Sequence, residues 1–182
     1  MGYHPERHHR RAMRLKGYDY SQPGMYFVTM CCWQRQPLFD VPEIREILME
    51  TWQHLPERFP TVVLDTFVVM PDHVHGILQL NSPARYVKAP RLDEIMRVYK
   101  SITSVCWLRW NKSRGTECAR HLWQERFFDH IIRNEQDAQR IREYIVNNPL
   151  KPEIIQGKDI DTQMWEEMLK RLVLGKVGDF TG

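Results

Sequence analysis

The stretch VVMPDHVHGILQL, residues 68–80, contains a tight turn followed by a strand that begins with two histidines. Side chains alternate between the two faces of a strand. One face carries small or apolar residues, namely Val74, Gly76, Leu78 and Leu80. The other face carries His73, His75, Ile77 and Gln79. We therefore expect the first face to pack on a core and the two histidines to lie side by side on an open face.

Two imidazoles that point the same way from one strand can hold a single metal ion. The chain nevertheless contains eight histidines, and a His-x-His spacing is short enough to arise by chance. An isolated pair at a strand end is more often an ordinary polar surface feature. Other motifs in the chain must therefore decide between a metal site and a surface pair.

Length and composition indicate one soluble domain. A chain of 182 residues with 42% hydrophobic and 27% charged residues can bury a real core. No apolar run approaches the roughly 20 residues of a membrane helix, and the N-terminal segment lacks the apolar region of a secretory signal. The four cysteines are too few and too irregularly spaced for a disulfide framework. We expect a cytoplasmic protein without a membrane partner.

The N-terminal arm, residues 1–17, is basic. It contains four arginines and one lysine against a single glutamate, and these cations are Arg7, Arg10, Arg11, Arg14 and Lys16. Such an arm can bind phosphates with an affinity that falls steeply with salt. It can equally be a solubilising tail, and the segment itself favours neither interpretation.

The hydrophobic periodicity predicts four strands and three main helices. The strands are expected at 25–33, 61–70, from His73 onward, and 123–133. The helices are expected at 40–55, 92–111 and 134–148, the last stopped by a proline. A further helix is expected at 162–174, within a C-terminal tail of residues 151–182.

Two details of these helices are specific enough to test. Asp40 followed by Glu43 has the spacing of a capping box, so Asp40 is the expected N-cap of the first helix. The buried side of the second helix is expected to comprise Leu92, Ile95, Tyr99, Ile102 and Cys106. Both predictions follow from local spacing alone.

The predicted order β-α-β-β-α-β, followed by an additional helix, is that of an α+β ferredoxin-like fold. This fold has a four-stranded antiparallel sheet with helices on one face and the other face free. RNA-recognition modules use the free face to stack bases. In this chain the free face would carry the two histidines.

Tyr144 lies beside the apolar stripe of the last core helix, which is formed by Ala138, Ile141 and Ile145. Amphipathic packing is the commoner role of such a tyrosine, but a helix that directly follows the fourth strand can approach the histidines. A divalent ion held by the imidazoles and the Asn148 amide would polarise a phosphodiester. The tyrosine hydroxyl, with a reference pKa of about 10, needs such help to attack. Tyr144 is therefore a candidate nucleophile.

Several ordered motifs together resemble the REP-associated tyrosine transposases, which belong to the HUH superfamily of single-strand DNA nucleases. They are YDYSQPGMYFVTMCCWQRQPLF at 18–39, PDHVHG at 71–76, WQERFFDHIIR at 123–133 and YIVNNP at 144–149. The resemblance implies a catalytic domain at 18–150 between the basic arm and the C-terminal tail. The continuation LKPEIIQGKDI departs from the family pattern, so the resemblance implies nothing about the tail.

The resemblance also implies roles for individual residues. His73 and His75 match the metal pair, and Tyr144 matches the nucleophile that forms a 5′-phosphotyrosine with single-stranded DNA. Asn148 falls where relatives place a third polar ligand, four residues after the tyrosine. Its position before a proline also suits a residue that caps the end of the helix. The implied cofactor is a divalent metal ion, Mg²⁺ or Mn²⁺.

Members of this family recognise short hairpins with a flanking single strand. The implied partner is therefore single-stranded or hairpin DNA, such as repetitive palindromic elements, bound by a monomer or a homodimer. The candidate DNA contacts are Arg10, Arg11, Arg14, Arg97, Lys100, His130, Arg133 and Arg140. For any one of those in the second helix or the arm, an ordinary solvated surface position is an equally good interpretation. For His130 and Arg133, packing is the alternative to DNA contact.

These observations favour a metal-dependent tyrosine transposase and endonuclease that cleaves and rejoins DNA. A hairpin-binding protein without catalysis is the first alternative, and the presence of the tyrosine and both histidines speaks against it. The second alternative is a metal-dependent hydrolase in which Tyr144 is structural. That hypothesis lacks a general base, because Asp72 is expected to take part in the turn before the histidines.

Overall fold

The computed structural model describes residue 15 and residues 17–83, 89–115 and 121–147. These residues form an α+β fold with a four-stranded antiparallel sheet. The strands are β1 (Gly24–Cys31), β2 (Val62–Val69), β3 (His73–Leu80) and β4 (Phe128–Ile132). The helices are α1 (Pro42–Gln53), α2 (Leu55–Arg58), α3 (Leu92–Ser113) and α4 (Glu135–Asn147). The predicted order of strands and main helices is confirmed, whereas the expected helix at 162–174 lies outside the described residues.

The strand order in the sheet is β2-β3-β1-β4, so β3 and β1 are the central strands. All three pairings are antiparallel. The register of β1 against β3 sets Thr29 opposite His75 and Cys31 opposite His73. The start of the histidine strand therefore lies beside the end of a strand that is almost entirely apolar, which places the histidines within the sheet and away from its edges.

The main core lies between one face of the sheet and α1, α2 and α3. Val74, Leu78 and Leu80 of β3 point into it, as the alternation predicts. The Trp52 ring from α1 stacks on Phe67 with centroids 4.5 Å apart. This stack lies directly over Gly76, where a Cβ atom would approach the Trp52 ring to 2.7 Å. Gly76 is needed because the indole occupies the space of a side chain.

We expect Gly76→Ala to destabilise the fold by about 1–3 kcal/mol, because the added methyl group overpacks a filled core. Thermal unfolding of the variant and the wild type measures this loss. Gly24→Ala is the control in the same sheet, since a Cβ atom there would meet the Tyr26 hydroxyl oxygen at an ordinary 3.5 Å. An unchanged melting temperature for Gly76→Ala would contradict the close packing of Trp52 over Gly76.

The second face of the sheet is not open, contrary to the prediction. Helix α4 follows β4 after two residues and packs across this face. The buried apolar side chains there are Phe27, Ile77, Ile132, Ala138, Ile141 and Ile145. As a result His75 is 0% exposed and His73 is 7% exposed. The prediction was wrong because the apolar stripe of α4 also has to be buried, and this sheet face is the surface beside it.

The predicted capping box is absent. Asp40 lies in a short 3₁₀ turn, Leu38–Asp40, and Val41 occupies the N-cap position of α1 without a side-chain hydrogen bond. The carboxylate of Asp40 instead lies 3.5 Å from the Arg45 guanidinium. A proline at the first helical position, Pro42, is well suited to start a helix and sets this boundary.

The buried side of α3 also differs from the prediction after its second turn. Ile102 is 37% exposed and Cys106 is half-buried. The buried residues are Leu92, Ile95, Met96, Tyr99, Thr103, Trp107 and Asn111. From Tyr99 onward the buried residues are spaced four positions apart, so Ile102 and Cys106 fall beside the buried line.

The first and fourth strands are shorter than predicted. Strand β1 ends at Cys31 because a 3₁₀ turn, Trp33–Arg35, follows it. Strand β4 comprises Phe128–Ile132, and Trp123 pairs separately with Cys32.

Across the described ranges 17–83, 89–115 and 121–147, none of the helices has the length and hydropathy needed to span a bilayer.

Candidate active site

The two histidines at the start of β3 face each other through their Nε2 atoms, which lie 3.1 Å apart. Their Nδ1 atoms have separate partners. Nδ1 of His73 contacts Asp72 Oδ1 at 2.6 Å, and Nδ1 of His75 contacts Thr29 Oγ1 at 2.7 Å. Burial lowers the pKa of His73 and lowers that of His75 well below its ordinary value. Both rings are therefore neutral, which is the form that binds metal ions.

Asp72 is more than the turn residue that the sequence predicted. Its Oδ1 atom accepts the His73 hydrogen bond, and its Oδ2 atom lies 3.1 Å from Nε of Arg35. Burial raises the pKa of Asp72, but the His73 hydrogen bond and the Arg35 charge outweigh it and hold the pKa below its ordinary value. The carboxylate is thus ionised and committed to these two partners.

Arg35 reaches Asp72 from a strained turn. Both Gln34, with φ of 52°, and Arg35, with φ of 56°, adopt the left-handed backbone region. Such a conformation costs non-glycine residues of the order of 1–3 kcal/mol each. Nη1 of Arg35 also donates to Sγ of Cys31 at 3.1 Å. The local sequence contains no glycine or other residue that would predict this turn. The contact of Arg35 with Asp72 was therefore not predicted from the sequence.

Tyr144 is brought to the histidines by α4. Its ring centroid lies 5.5 Å from that of His75 and 6.4 Å from that of Phe27. Phe27 in turn stacks on His75 with centroids 5.4 Å apart. Tyr144 therefore lies beside His75 within a single chain, and Phe27 contacts both rings.

An ion pair fastens α4 to the edge of the sheet. Arg142 donates through Nε to both carboxylate oxygens of Asp65, at 3.1 and 3.0 Å, and through Nη2 at 2.7 Å. Asp65 lies at an irregularity of β2 between Leu64 and Phe67, which directs its side chain to the helix. The Arg142 hydrogen bonds hold the pKa of Asp65 below its ordinary value.

We expect Asp65 and Arg142 to be energetically coupled by about 1 kcal/mol at neutral pH, as a well-formed bidentate pair. Asp65→Asn, Arg142→Gln and the double variant, unfolded in urea, measure this coupling. The pKa of Asp65 is lower in the folded protein than in the unfolded chain. The pair therefore stabilises the fold fully above the pKa of the unfolded chain, near 3.9. This stabilisation is lost as the pH falls through the lower folded pKa. Additive effects of the two substitutions at pH 7 would show that the pair does not fasten α4.

The spacing of the histidine nitrogens fits two ligands of one metal ion. Ligand nitrogens about 2.0–2.1 Å from an ion, at bond angles of about 90–109°, lie roughly 2.8–3.4 Å apart. The observed separation of 3.1 Å falls in that interval. Within the part of the chain that the structure describes, no cluster of three or more His, Cys, Asp or Glu side chains could hold a metal ion. The predicted third ligand, Asn148, lies outside that part.

Lys100 is engaged inside the protein, unlike the surface role that the sequence suggested. Its ammonium group donates to the backbone carbonyls of Gln124, Glu125 and Arg126 at 2.9–3.3 Å. Burial lowers the pKa of Lys100 to about 8. These three contacts use the donors of the ammonium group, so Lys100 holds the segment before β4 and is not presented to a phosphate.

The other predicted DNA contacts differ in exposure. Arg97 and Arg133 are exposed, and Arg140 is half-buried. Nε2 of His130 lies 3.3 Å from Oδ2 of Asp137 near the start of α4. Arg10, Arg11 and Arg14 lie outside the described residues.

Comparison with known proteins gives consistent matches. Residues 21–148 match the family described as "Transposase IS200 like". An uncharacterized protein of Haemophilus influenzae is 34% identical over 168 residues, which cover 79% of this chain and 89% of that protein. A REP-associated tyrosine transposase of Escherichia coli is 29% identical over 93 residues, covering 48% of this chain and 44% of that protein.

A solved structure has the same fold. It is that of a REP-associated tyrosine transposase bound to a REP hairpin, with a TM-score of 0.57 and 20% identity. The similarity covers 93% of each chain. At this level of identity the match supports the ferredoxin-like architecture that the sequence predicted.

Proposed function

The chain belongs to the family of IS200-like transposases, and from this premise we propose that it is a DNA transposase and endonuclease with Tyr144 as nucleophile. It would cleave and rejoin single-stranded or hairpin DNA through a 5′-phosphotyrosine intermediate. The observation that carries this proposal is the position of Tyr144 beside the histidine pair, with its ring centroid 5.5 Å from that of His75.

The proposed reaction exchanges one ester for another. The Tyr144 oxygen attacks the phosphorus atom, a new tyrosyl–phosphate bond forms, and the bond to the 3′ oxygen breaks. The tyrosine loses its proton, and the departing 3′ oxygen gains one. Because the phosphodiester energy is retained, a second 3′ hydroxyl can reverse the step and rejoin the strand. Hydrolysis does not need such an intermediate, whereas strand transfer benefits from it.

The proposed cofactor is Mg²⁺ or Mn²⁺, held by Nε2 of His73 and Nε2 of His75 with Asn148 as a third ligand. A divalent ion in this position supplies positive charge that stabilises the phosphate oxygens as the bond order changes. Phe27 and α4 shield the histidines from bulk water. Asp72 orients His73 and is paired with Arg35, so it is poorly placed to act as a hydrolytic base.

The proposed partner is a DNA hairpin with a flanking single strand. Support comes from the family and from the hairpin-bound structure that shares the fold. The exposed guanidinium groups of Arg97 and Arg133 are the clearest candidates for phosphate contacts. Further candidates are His130 and Arg140 in the proposed catalytic domain at 18–150, and Arg10, Arg11 and Arg14 in the arm at 1–17. The tail at 151–182 carries no proposed role.

Labelled hairpin oligonucleotides with single-stranded flanks, incubated with the protein and either Mg²⁺ or Mn²⁺, test the proposal. We expect a covalent protein–DNA adduct that survives a denaturing gel, together with a released fragment bearing a 3′ hydroxyl. Omission of the metal ion should prevent both products. Hairpin binding without an adduct, with both metals and many hairpins, would instead indicate a binding protein that does not cleave DNA.

A further inference from the structure

We propose that the two histidines bind metal in different ways: Asp72 and Arg35 hold His73 in one fixed tautomer, whereas Thr29 allows His75 to change tautomer. Asp72, Arg35 and Thr29 are then positioning residues for the pair. The inference rests on the proposed function in that it takes the two Nε2 atoms as metal ligands.

The tautomer of His73 follows from its carboxylate partner. An ionised carboxylate only accepts hydrogen bonds, so the 2.6 Å contact between Asp72 Oδ1 and Nδ1 of His73 requires the proton on Nδ1. The lone pair of His73 is therefore on Nε2. The ion pair between Arg35 and Asp72, at 3.1 Å, keeps the carboxylate in place. His73 thus presents a ligand nitrogen at all times.

The tautomer of His75 then depends on what lies between the rings. When no cation lies between the two Nε2 atoms, which are 3.1 Å apart, one of them must carry the proton of a hydrogen bond. His73 has its proton on Nδ1, so Nε2 of His75 is the donor. Nδ1 of His75 must then accept a hydrogen bond from the hydroxyl of Thr29, which lies 2.7 Å away.

Metal binding requires the opposite arrangement at His75. The Nε2 proton is lost to water, Nδ1 takes the proton of the Thr29 hydroxyl, and the hydroxyl regains a proton from water and changes from donor to acceptor. A hydroxyl can take both roles, whereas a carboxylate, an ammonium group or an aliphatic side chain cannot. No net proton is released in this change. His73 undergoes no change at all.

Packing restricts His75 to this route. The ring is 0% exposed and stacked on Phe27, and Thr29 is 1% exposed on the neighbouring strand. A flip of the ring would exchange Nδ1 with Cδ2 and Nε2 with Cε1, so it would remove the contacts with Thr29 and His73 and would have to displace Phe27. A proton shift with a hydroxyl rotation leaves all heavy atoms where they are.

The strained turn supports the fixed role of His73. Gln34 and Arg35 both adopt left-handed backbone conformations, and strain of this kind concentrates at functional sites. In this chain the consequence of the turn is the placement of the Arg35 guanidinium against Asp72. The strained backbone therefore belongs to the same residue, Arg35, that supports His73 through Asp72.

Nitrogen-15 NMR of the histidine side chains in the full-length protein tests the inference directly. Without metal we expect His73 protonated at Nδ1 and His75 protonated at Nε2. On titration with Zn²⁺, a diamagnetic probe, His75 should become protonated at Nδ1 while His73 stays unchanged. The same tautomer for both rings without metal, or a change at His73, would overturn the inference.

Substitutions give a second measurement that uses Zn²⁺ affinity in competition with a chelator. Thr29→Val should weaken Zn²⁺ binding by about 10–100-fold, the usual effect of losing such a partner. Thr29→Ser should retain it. Gln34→Gly is the control for the turn, because it relieves strain without removing the guanidinium and should leave both tautomers unchanged. Unchanged affinity in Thr29→Val would contradict the role of the hydroxyl.

These measurements use no DNA, so the two proposals fail separately. If the predicted tautomers are found but no hairpin forms an adduct, the transposase proposal is removed and the inference about the histidines stands. If an adduct forms but the tautomers differ from those expected, the transposase proposal stands and the inference about the histidines is overturned. Should Thr29→Val fail to fold, the wild-type spectra alone decide the outcome.

Discussion

Tyr144→Phe is expected to abolish the covalent adduct with hairpin DNA, a loss of at least about 10³-fold in rate, because it removes the proposed nucleophilic oxygen. The hairpin affinity of the variant should stay within about twofold of the wild-type affinity. The substitution changes the reacting atom and is not expected to weaken binding of the hairpin as a whole. The phenylalanine ring can keep the edge-to-face contacts that Tyr144 makes with Phe27 and His75. The adduct is measured on a denaturing gel and the affinity by fluorescence anisotropy.

Tyr18→Phe is the matched control for this substitution. Tyr18 is also half-buried, and its hydroxyl lies 3.3 Å from that of Tyr26, in the main core on the opposite face of the sheet from Phe27 and Tyr144. We expect this variant to form the adduct at the wild-type rate. An adduct that persists in Tyr144→Phe would exclude Tyr144 as the nucleophile, and loss of hairpin binding in that variant would indicate a structural role.

The double substitution His73→Ala with His75→Ala is expected to remove both adduct formation and the stabilisation of the fold by metal. Wild-type protein should melt at a higher temperature when Mn²⁺ is added, because a ligand that binds the folded state stabilises it. The variant should show no such rise. Differential scanning fluorimetry with and without Mn²⁺ measures this difference.

The burial of the histidines adds a second effect that their strand position alone did not suggest. Because His75 is 0% exposed beneath α4, its truncation should leave a cavity and destabilise the fold by roughly 1–3 kcal/mol. Ile77→Ala, on the same strand and face, is the control. It should lose comparable stability but keep the response to Mn²⁺. A metal-induced rise that persists in the double histidine variant would place the metal elsewhere.

The order of strands and helices, the core face of β3 and the apolar stripe of α4 were all predictable from the sequence. Each depends on periodicity within about ten residues, so the local pattern contains the information. The side of the strand on which His73 and His75 lie is fixed by alternation in the same way. The motifs that pointed to a chemical role are also local, because PDHVHG and YIVNNP are each an uninterrupted stretch of the sequence.

The environment of the site, in contrast, required the tertiary structure. The sequence predicted open histidines, whereas α4 buries them, and it assigned Asp72 to a turn, whereas Asp72 joins His73 to Arg35. These contacts depend on a strained turn and on the docking of a helix, which local spacing does not encode.

The distinction between the two kinds of information is physical. The sequence by itself determined which residues could perform chemistry, because residue type and local periodicity are properties of short segments. The tertiary structure decided how those residues are held. Thr29 reaches His75 across 46 positions, and Asp65 reaches Arg142 across 77. Such contacts form only when strand register and helix packing are set together by the burial of the whole core.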